Sequence, residues 1–282
     1  MSLLAAHELV RRLRDGRRML ADGAVGSELI RAGIAPDGTV AANLSHPEHV
    51  RNIHRQAIAA GAEIITTNTF GAPSSQAWFA GFSAGLALAE TAVRESDRDI
   101  AVMFSVYPEE LLLNSWSVIE PFQEASSREY LLLIETAIDI ERAVTAVTTA
   151  WRNGVTAIAA TCHFQADARM PDGTTPAQAA AALQKAGAMI VGANCGTGPD
   201  AMVAVAEQMR TATDLPLLFQ PNDGLPVWQG SRWVYPVDTA RFAAIAASLF
   251  DVGASIVGGC CGTTPAHIAA IDRLLFHPQC RE

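Results

Sequence analysis

Along the chain, short apolar runs alternate with longer stretches in which Ala, Leu and charged residues recur at helical spacing. The runs fall at Met19–Asp22, Glu63–Asn68, Ile100–Ser105, Tyr130–Glu135, Thr156–Thr161, Met189–Asn194, Leu217–Gln220 and Ser255–Gly258. They are nearly continuous rather than alternating, as expected of parallel strands buried on both faces. Helical patterns lie between them, at Glu48–Ala60, Ser83–Glu95, Asp139–Asn153, Pro176–Ala186, Asp200–Thr211 and Asp238–Asp251. In three units the helix stops at a glycine just before the next strand: Gly61, Gly187 and Gly253. Glycine there supplies the left-handed cap that ends a helix. Eight such strand–helix units in about 250 residues predict an α/β fold, a single-domain (β/α)8 TIM barrel. The barrel is expected over residues 19–282, with residues 1–18 forming an amphipathic helix that packs on it through Leu3, Leu4, Leu9, Val10 and Leu13. The alternative is a doubly wound open sheet, but no Gly-x-Gly-x-x-Gly loop follows the first strand.

Composition narrows the function classes. Half of the 282 residues are hydrophobic and 17% are charged, so the chain can bury a large core and is not disordered. Basic residues number 20 against 29 acidic ones, a formal charge of −9. That balance argues against nucleic acid or an anionic membrane as partner, since both demand a positive footprint. No stretch reaches the roughly 18 apolar residues of a membrane span, and Met1–Met19 lacks the apolar segment of a signal peptide. A cytoplasmic protein is the expectation. The five cysteines are an odd number and Cys260 and Cys261 are adjacent. That is a poor disulfide framework, and it points to thiol or metal chemistry in a reducing compartment.

In a barrel the chemistry gathers where the strands end. Read in order, the exits are Asp22-Gly23, Thr67-Asn68-Thr69, Ser105, Glu135-Thr136, Thr161-Cys162-His163, Asn194-Cys195-Gly196, Pro221-Asn222-Asp223 and Gly258-Gly259-Cys260-Cys261. The sixth and eighth strands have only the seventh between them, so Cys195, Cys260 and Cys261 are able to converge at the barrel mouth. Three thiolates suit a zinc ion (Zn2+) in a tetrahedral site that keeps its fourth position for substrate. The flanking Gly258, Gly259 and Gly262 permit the sharp turn that two adjacent ligands need. The plainer alternative is three buried small hydrophobes. Cys162 reads as core or as a support behind the ligands, and Cys280 as a bystander.

Several segments resemble the homocysteine S-methyltransferase family. The most telling is Gly258-Gly259-Cys260-Cys261-Gly262-Thr263-Thr264-Pro265-Ala266-His267-Ile268. It is joined by Asp22-Gly23-Ala24-Val25-Gly26-Ser27, Asn43-Leu44-Ser45-His46-Pro47 with Ile53-His54, and Gly61 through Phe70. Leu133-Ile134-Glu135-Thr136, Gly192 through Pro199, and Pro221-Asn222-Asp223-Gly224-Leu225-Pro226 complete the set, in order, from Asp22 to about Ile271. The Gly-Pro that follows the sixth-strand cysteine is most similar to the homocysteine-binding module of cobalamin-dependent methionine synthase. The resemblance implies zinc-dependent methylation of the homocysteine sulfur to give methionine. It implies Cys195, Cys260 and Cys261 as metal ligands, Glu135 as the holder of the substrate amino group, and Asp22, Gly23, Thr69 and Phe70 as the amino-acid pocket.

Two departures stand out. The segment between Ser105 and Tyr130 is short for a complete unit and ends in Arg128-Glu129. The chain also carries no folate or cobalamin module and no Asp-x-His-x-x-Gly, so a methylcorrinoid donor is expected to arrive on another polypeptide. Small donors such as S-methylmethionine, S-adenosylmethionine or betaine are the alternatives. A zinc- and thiol-binding subunit without turnover of its own, and a redox protein using a reversible Cys260–Cys261 disulfide, are competing classes. A homo-oligomer is left open. Asn222 is read either as guarding the open metal position or as capping the turn Pro221–Pro226, and Glu135 has the alternative of a helix N-terminal carboxylate. Once metal has removed the thiol proton no general base is required, so His54 and His163 are read as structural. Trp228 and Trp233, after the seventh strand, either wall the pocket, pack against a donor or pack at the surface.

Overall fold

The apolar runs pair as parallel strands in the computed structural model, which describes residues 3–71, 76–108, 123, 127–230 and 232–277. The strands are β1 (Met19–Leu20), β2 (Ile64–Thr66), β3 (Ala101–Val106), β4 (Leu131–Ala137), β5 (Ile158–Cys162), β6 (Ile190–Cys195) and β7 (Leu217–Pro221). A short hairpin, β8 (Val227–Gln229) and β9 (Arg232–Val234), precedes the last barrel strand, β10 (Ile256–Val257). The eight-stranded sheet runs β1-β10-β7-β6-β5-β4-β3-β2. Its two ends meet: Glu63 donates its N–H to the Leu20 carbonyl at 2.8 Å, and Asp22 donates to Ile64 at 3.0 Å. The architecture is the expected (β/α)8 barrel.

The helices are α1 (Ala6–Arg14), α2 (Val25–Arg31), α3 (Ala42–Ser45), α4 (Pro47–Ala59), α5 (Gln76–Arg94) and α6 (Ile140–Arg152). They continue with α7 (Pro176–Ala186), α8 (Pro199–Arg210), α9 (Thr239–Asp251) and α10 (Pro265–Leu275). Local chemistry sets their ends. Asp139 caps α6 through the Arg142 N–H at 3.0 Å, Asp238 caps α9, and Thr175 with Gln178 forms a capping box on α7. Proline opens α4, α7, α8 and α10, where its missing N–H costs nothing. Gly61, Gly187 and Gly253 sit at φ of 111°, 108° and 102°, the left-handed stops read from the sequence.

Two apolar layers follow from the strand period. One lies between strands and outer helices and contains Phe104, Phe219, Ile158, Val191, Val147 and Leu249. The other fills the barrel's lower interior with Met19, Ile64, Met103, Leu131, Ile190 and Ile256, and α1 closes it from below with Leu9, Val10 and Leu13. Leu3 and Leu4 extend that contact through backbone pairing at Ile100. Among the described residues, no helix is long and apolar enough to cross a membrane.

The structure departs from the sequence reading in three places. Residues after the seventh strand, expected as loop, form the β8–β9 hairpin in which Trp228 stands opposite Trp233. Helix α5 begins at Gln76, earlier than Ser83. Strand β4 extends to Ala137 through a register shift between Ile134 and Ala137. Most of the short segment between Ser105 and Tyr130 lies outside the described residues, as does Cys280.

Candidate active site

The three thiols meet because β7 laces the tips of its neighbours together. Asn222 donates its N–H to the Cys195 carbonyl at 3.2 Å, Cys260 donates to Pro221 at 2.8 Å, and Asp223 donates to Cys261 at 2.9 Å. Cys195 itself takes a left-handed φ of 57°, which turns its side chain out of the strand. Its Sγ lies 3.0 Å from that of Cys260, which lies 4.0 Å from that of Cys261. All three sulfurs fall within 4.8 Å of one another. Glycine is required beside them. A Cβ on Gly259 would lie 2.3 Å from the Thr263 hydroxyl, and one on Gly262 would lie 2.3 Å from the Tyr235 ring. Thr263 in turn donates to the Cys260 carbonyl at 2.6 Å and accepts from the Ala24 N–H at 3.2 Å, joining the first and last loops.

The sulfurs share charge. Hydrogen bonds from Cys195 and Cys260 hold the Cys261 thiol down at about 3, while its hydrogen bonds to Cys195 and Cys261, and burial, push Cys260 well up. A cation among them would stabilise all three thiolates together. Tetrahedral thiolates at about 2.3 Å from a zinc ion stand about 3.8 Å apart, inside the observed range, and soft sulfur donors select zinc over harder ions. The residues therefore fit the metal.

Beside the thiols lies a cavity of about 170 Å3. It is lined by Gly23 and its neighbours to Ser27, by Thr66 to Asn68, Phe70, Ser105, Glu135, Thr136 and Gln220, and by the three cysteines. The size suits one small amino acid, below the roughly 300–1,000 Å3 of drug-sized sites. Among the described lining residues there is no Lys, Arg or His. Glu135 points into this cavity from the β4 exit, bonded by the Ser105 hydroxyl and by Asn194 Nδ2 at 3.0 Å. Burial lifts its carboxyl to about 7 against the hydrogen bond from Ser105. Asp22 lies buried behind the wall; Thr66 donates to it from backbone and hydroxyl at 2.8 Å each, and burial still lifts it to about 7. Two such carboxylates are costly to ionise without a cation nearby.

The other residues singled out from the sequence divide clearly. Phe70 lines the cavity, edge-on to Tyr107 at 5.5 Å. Thr69 is fully buried behind it, donating to the Ser105 carbonyl at 2.7 Å. Asn222 donates to the Gly196 carbonyl at 2.9 Å, and its Oδ1 is buried with no partner among the described residues. His163 accepts from the Gly196 N–H at 3.2 Å, so it braces the loop after Cys195. His54 is buried with neither ring nitrogen paired among the described residues, and burial lowers it to about 4. Cys162 is core, its thiol pushed up to about 12 by burial. Sequence reasoning misses Thr66 and Gln220. The only signal for Gln220 is a polar side chain inside an apolar run; it lines the cavity with a buried Oε1 that has no partner among the described residues.

The sequence profile described as Homocysteine S-methyltransferase matches residues 19–275. The chain belongs to that family. Among its relatives is the methionine synthase of Mycobacterium tuberculosis, 29% identical over 289 residues, which cover 90% of this chain and 24% of that protein. The chain thus spans about a quarter of the length of that relative. The S-methylmethionine–homocysteine S-methyltransferase BHMT2 of Pongo abelii is 26% identical, covering 95% of this chain and 81% of that protein. The homocysteine methyltransferase MmuM of Escherichia coli, in its apo form, shares the fold with a TM-score of 0.74 at 23% identity, covering 93% of this chain and 98% of that one.

Proposed function

We propose that the chain transfers a methyl group to the thiol of homocysteine, giving methionine, with zinc held by Cys195, Cys260 and Cys261. The observation that carries this reading is the placement of three converging thiols and a cation-seeking carboxylate, Glu135, in one small cavity. Bound there, zinc would supply the positive charge that keeps a substrate thiol deprotonated at neutral pH. Glu135 takes the substrate ammonium, and the ion pair relieves the cost of its own burial. Ser105 and Asn194 hold that carboxylate in one orientation. Gly23, Phe70 and the buried Asp22–Thr66 pair shape the wall and exclude water. With the metal held there, the three protein thiolates would leave the site with a net negative charge, which would keep a substrate sulfur electron-rich. That sulfur's lone pair forms the new S–C bond as the donor keeps the electron pair of the old one, and the thiol proton passes to solvent. Asn222 Oδ1, buried without a partner among the described residues, is suited to guarding the cluster before substrate arrives.

The donor in this reading is a methylcorrinoid protein, supported by the sixth-strand motif and the similarity to methionine synthases. A second reading, a small cationic donor, is favoured by one observation. A larger cavity of about 1000 Å3, whose lining includes Asp223, Asp238 and Tyr235 alongside Arg31 and His267, adjoins the site through Ser27, with Gly262 also on its wall. Carboxylates and an aromatic face suit a sulfonium or quaternary ammonium. Free thiols fit a reducing compartment such as the cytoplasm.

The test is metal analysis with homocysteine methylation from a panel of donors, repeated on Cys261→Ser. One zinc per chain, lost with activity in the variant, is expected. Undiminished turnover by the variant refutes the mechanism. Turnover of small donors by the isolated chain excludes the idea of a subunit that is silent alone, and reduced protein without zinc favours the vicinal-disulfide alternative.

A further inference from the structure

The exit of β4 is distorted, and one side chain from β6 holds the distortion. Between Ile134 and Ala137 the pairing of β4 with β5 slips, and Thr136 sits at φ +61°. A β-branched residue rarely takes that left-handed conformation, and a bulge of this kind leaves an N–H outside the ladder. Asn194 reaches across β5 to fill it. Its Oδ1 accepts from the Thr136 N–H at 3.0 Å and from the Thr161 hydroxyl at 2.8 Å. Its Nδ2 donates to Thr136 Oγ1 at 2.7 Å and to Glu135 Oε1 at 3.0 Å. These four bonds use both hydrogens and both lone pairs of the amide. A longer approach, 3.9 Å, runs from Nδ2 to Cys260 Sγ. Asn194 is fully buried and directly precedes Cys195, whose own φ is left-handed.

We infer that Asn194 is a positioning residue that locks the β4 bulge in its left-handed form, aiming Glu135 into the amino-acid cavity while it anchors the strand end that carries Cys195. It acts on both halves of the site through other residues. The inference rests on the roles proposed above for Glu135 and the thiols, while the lock itself is a property of the fold. A bulge re-aims a side chain only while its backbone is held. A Thr136→Gly variant would adopt the same φ without strain and would need the lock less.

The experiment is a double-mutant cycle of Asn194→Ala with Thr136→Gly in the full chain. It is read as thermal unfolding, zinc affinity by chelator competition, and KM and kcat for homocysteine. Asn194→Ala alone is expected to raise KM and weaken zinc binding, each on the order of tenfold. In the Thr136→Gly background the KM penalty and the loss of melting temperature shrink, the KM penalty by about threefold or more, while the zinc penalty, which runs through the strand end that carries Cys195, persists. A role in packing alone is not rescued in this way. Equal KM penalties in both backgrounds overturn the inference, as does a fall in melting temperature with KM and zinc affinity unchanged. Should Asn194→Ala fail to fold, Asn194→Ser carries the same cycle. A wild-type chain that binds no zinc and methylates no homocysteine refutes the functional reading instead, and the unfolding arm still tests the lock.

Discussion

At the N-terminal end of the barrel strands, α1 lays Leu9, Val10 and Leu13 against Met19, Ile64 and Ile256 in a wholly apolar cluster. At the C-terminal end the same sheet finishes in three thiols, two carboxyls lifted to about 7, and oxygens on Gln220 and Asn222 without partners among the described residues. The charges at the two ends behave oppositely. On α1, hydrogen bonds from Arg11 and Arg12 hold Glu8 at about 2. At the mouth no basic side chain lines the cavity among the described residues, so burial raises the carboxyls. One end stores the stability that lets the other remain unsatisfied until ligands arrive. This is the usual division of a barrel into a stabilising and a reactive face, here written in named residues.

The comparison breaks most easily at the bottom. Leu9→Ala is expected to cost about 2–5 kcal/mol in urea unfolding, because a fully buried side chain leaves a cavity, while KM for homocysteine stays unchanged. A rise in KM would mean that the two ends are coupled. Next in size is a titration at the mouth. Between its ordinary 3.8 and about 7, native Asp22 holds a proton that the unfolded chain has released. Stability therefore falls as pH rises through that window. Asp22→Asn removes the loss, so the variant should exceed wild type by on the order of 2–4 kcal/mol at pH about 8 and match it near pH 4. Equal gains at both pH values would show that the carboxyl is not carrying the effect. Glu135→Gln keeps the shape and removes the charge. Homocysteine KM should rise by about 10–100-fold, the worth of a charged hydrogen bond, with little change in zinc content. The smallest effect is expected from Phe70→Ala at the rim. Its face on the cavity wall is worth about 1 kcal/mol of apolar contact with the substrate, a change of several-fold in KM, while loss of the edge-on contact with Tyr107 lowers the melting temperature by about 2–4 °C.

Much of this is legible in the chain. The eight apolar runs locate the strands because parallel strands are buried on both faces and show no alternation. The glycine stops at 61, 187 and 253 are visible because only glycine takes the left-handed cap cheaply. The cysteine cluster is legible because thiols at strand exits on either side of a single strand have one place to meet. The hairpin is not: Val227–Gln229 is exposed and carries no buried-strand signature. Thr66 and Gln220 are hidden inside runs that read as plain strand. The bulge at Thr136 has no sequence mark, since a left-handed conformation at a β-branched residue contradicts local preference.

By itself the sequence determined the barrel, its closing helix, the membership of the chain in the homocysteine S-methyltransferases and the identity of the clustered thiols. Those rest on periodicity, on backbone preferences and on motifs, all of which are local. Only the tertiary structure decided which polar side chains face the same cavity, which carboxyls are driven toward neutrality, and that Asn194 ties Glu135 to the strand end bearing Cys195. Burial, electric field and hydrogen-bond partners depend on neighbours brought together from distant parts of the chain, and no local pattern encodes them.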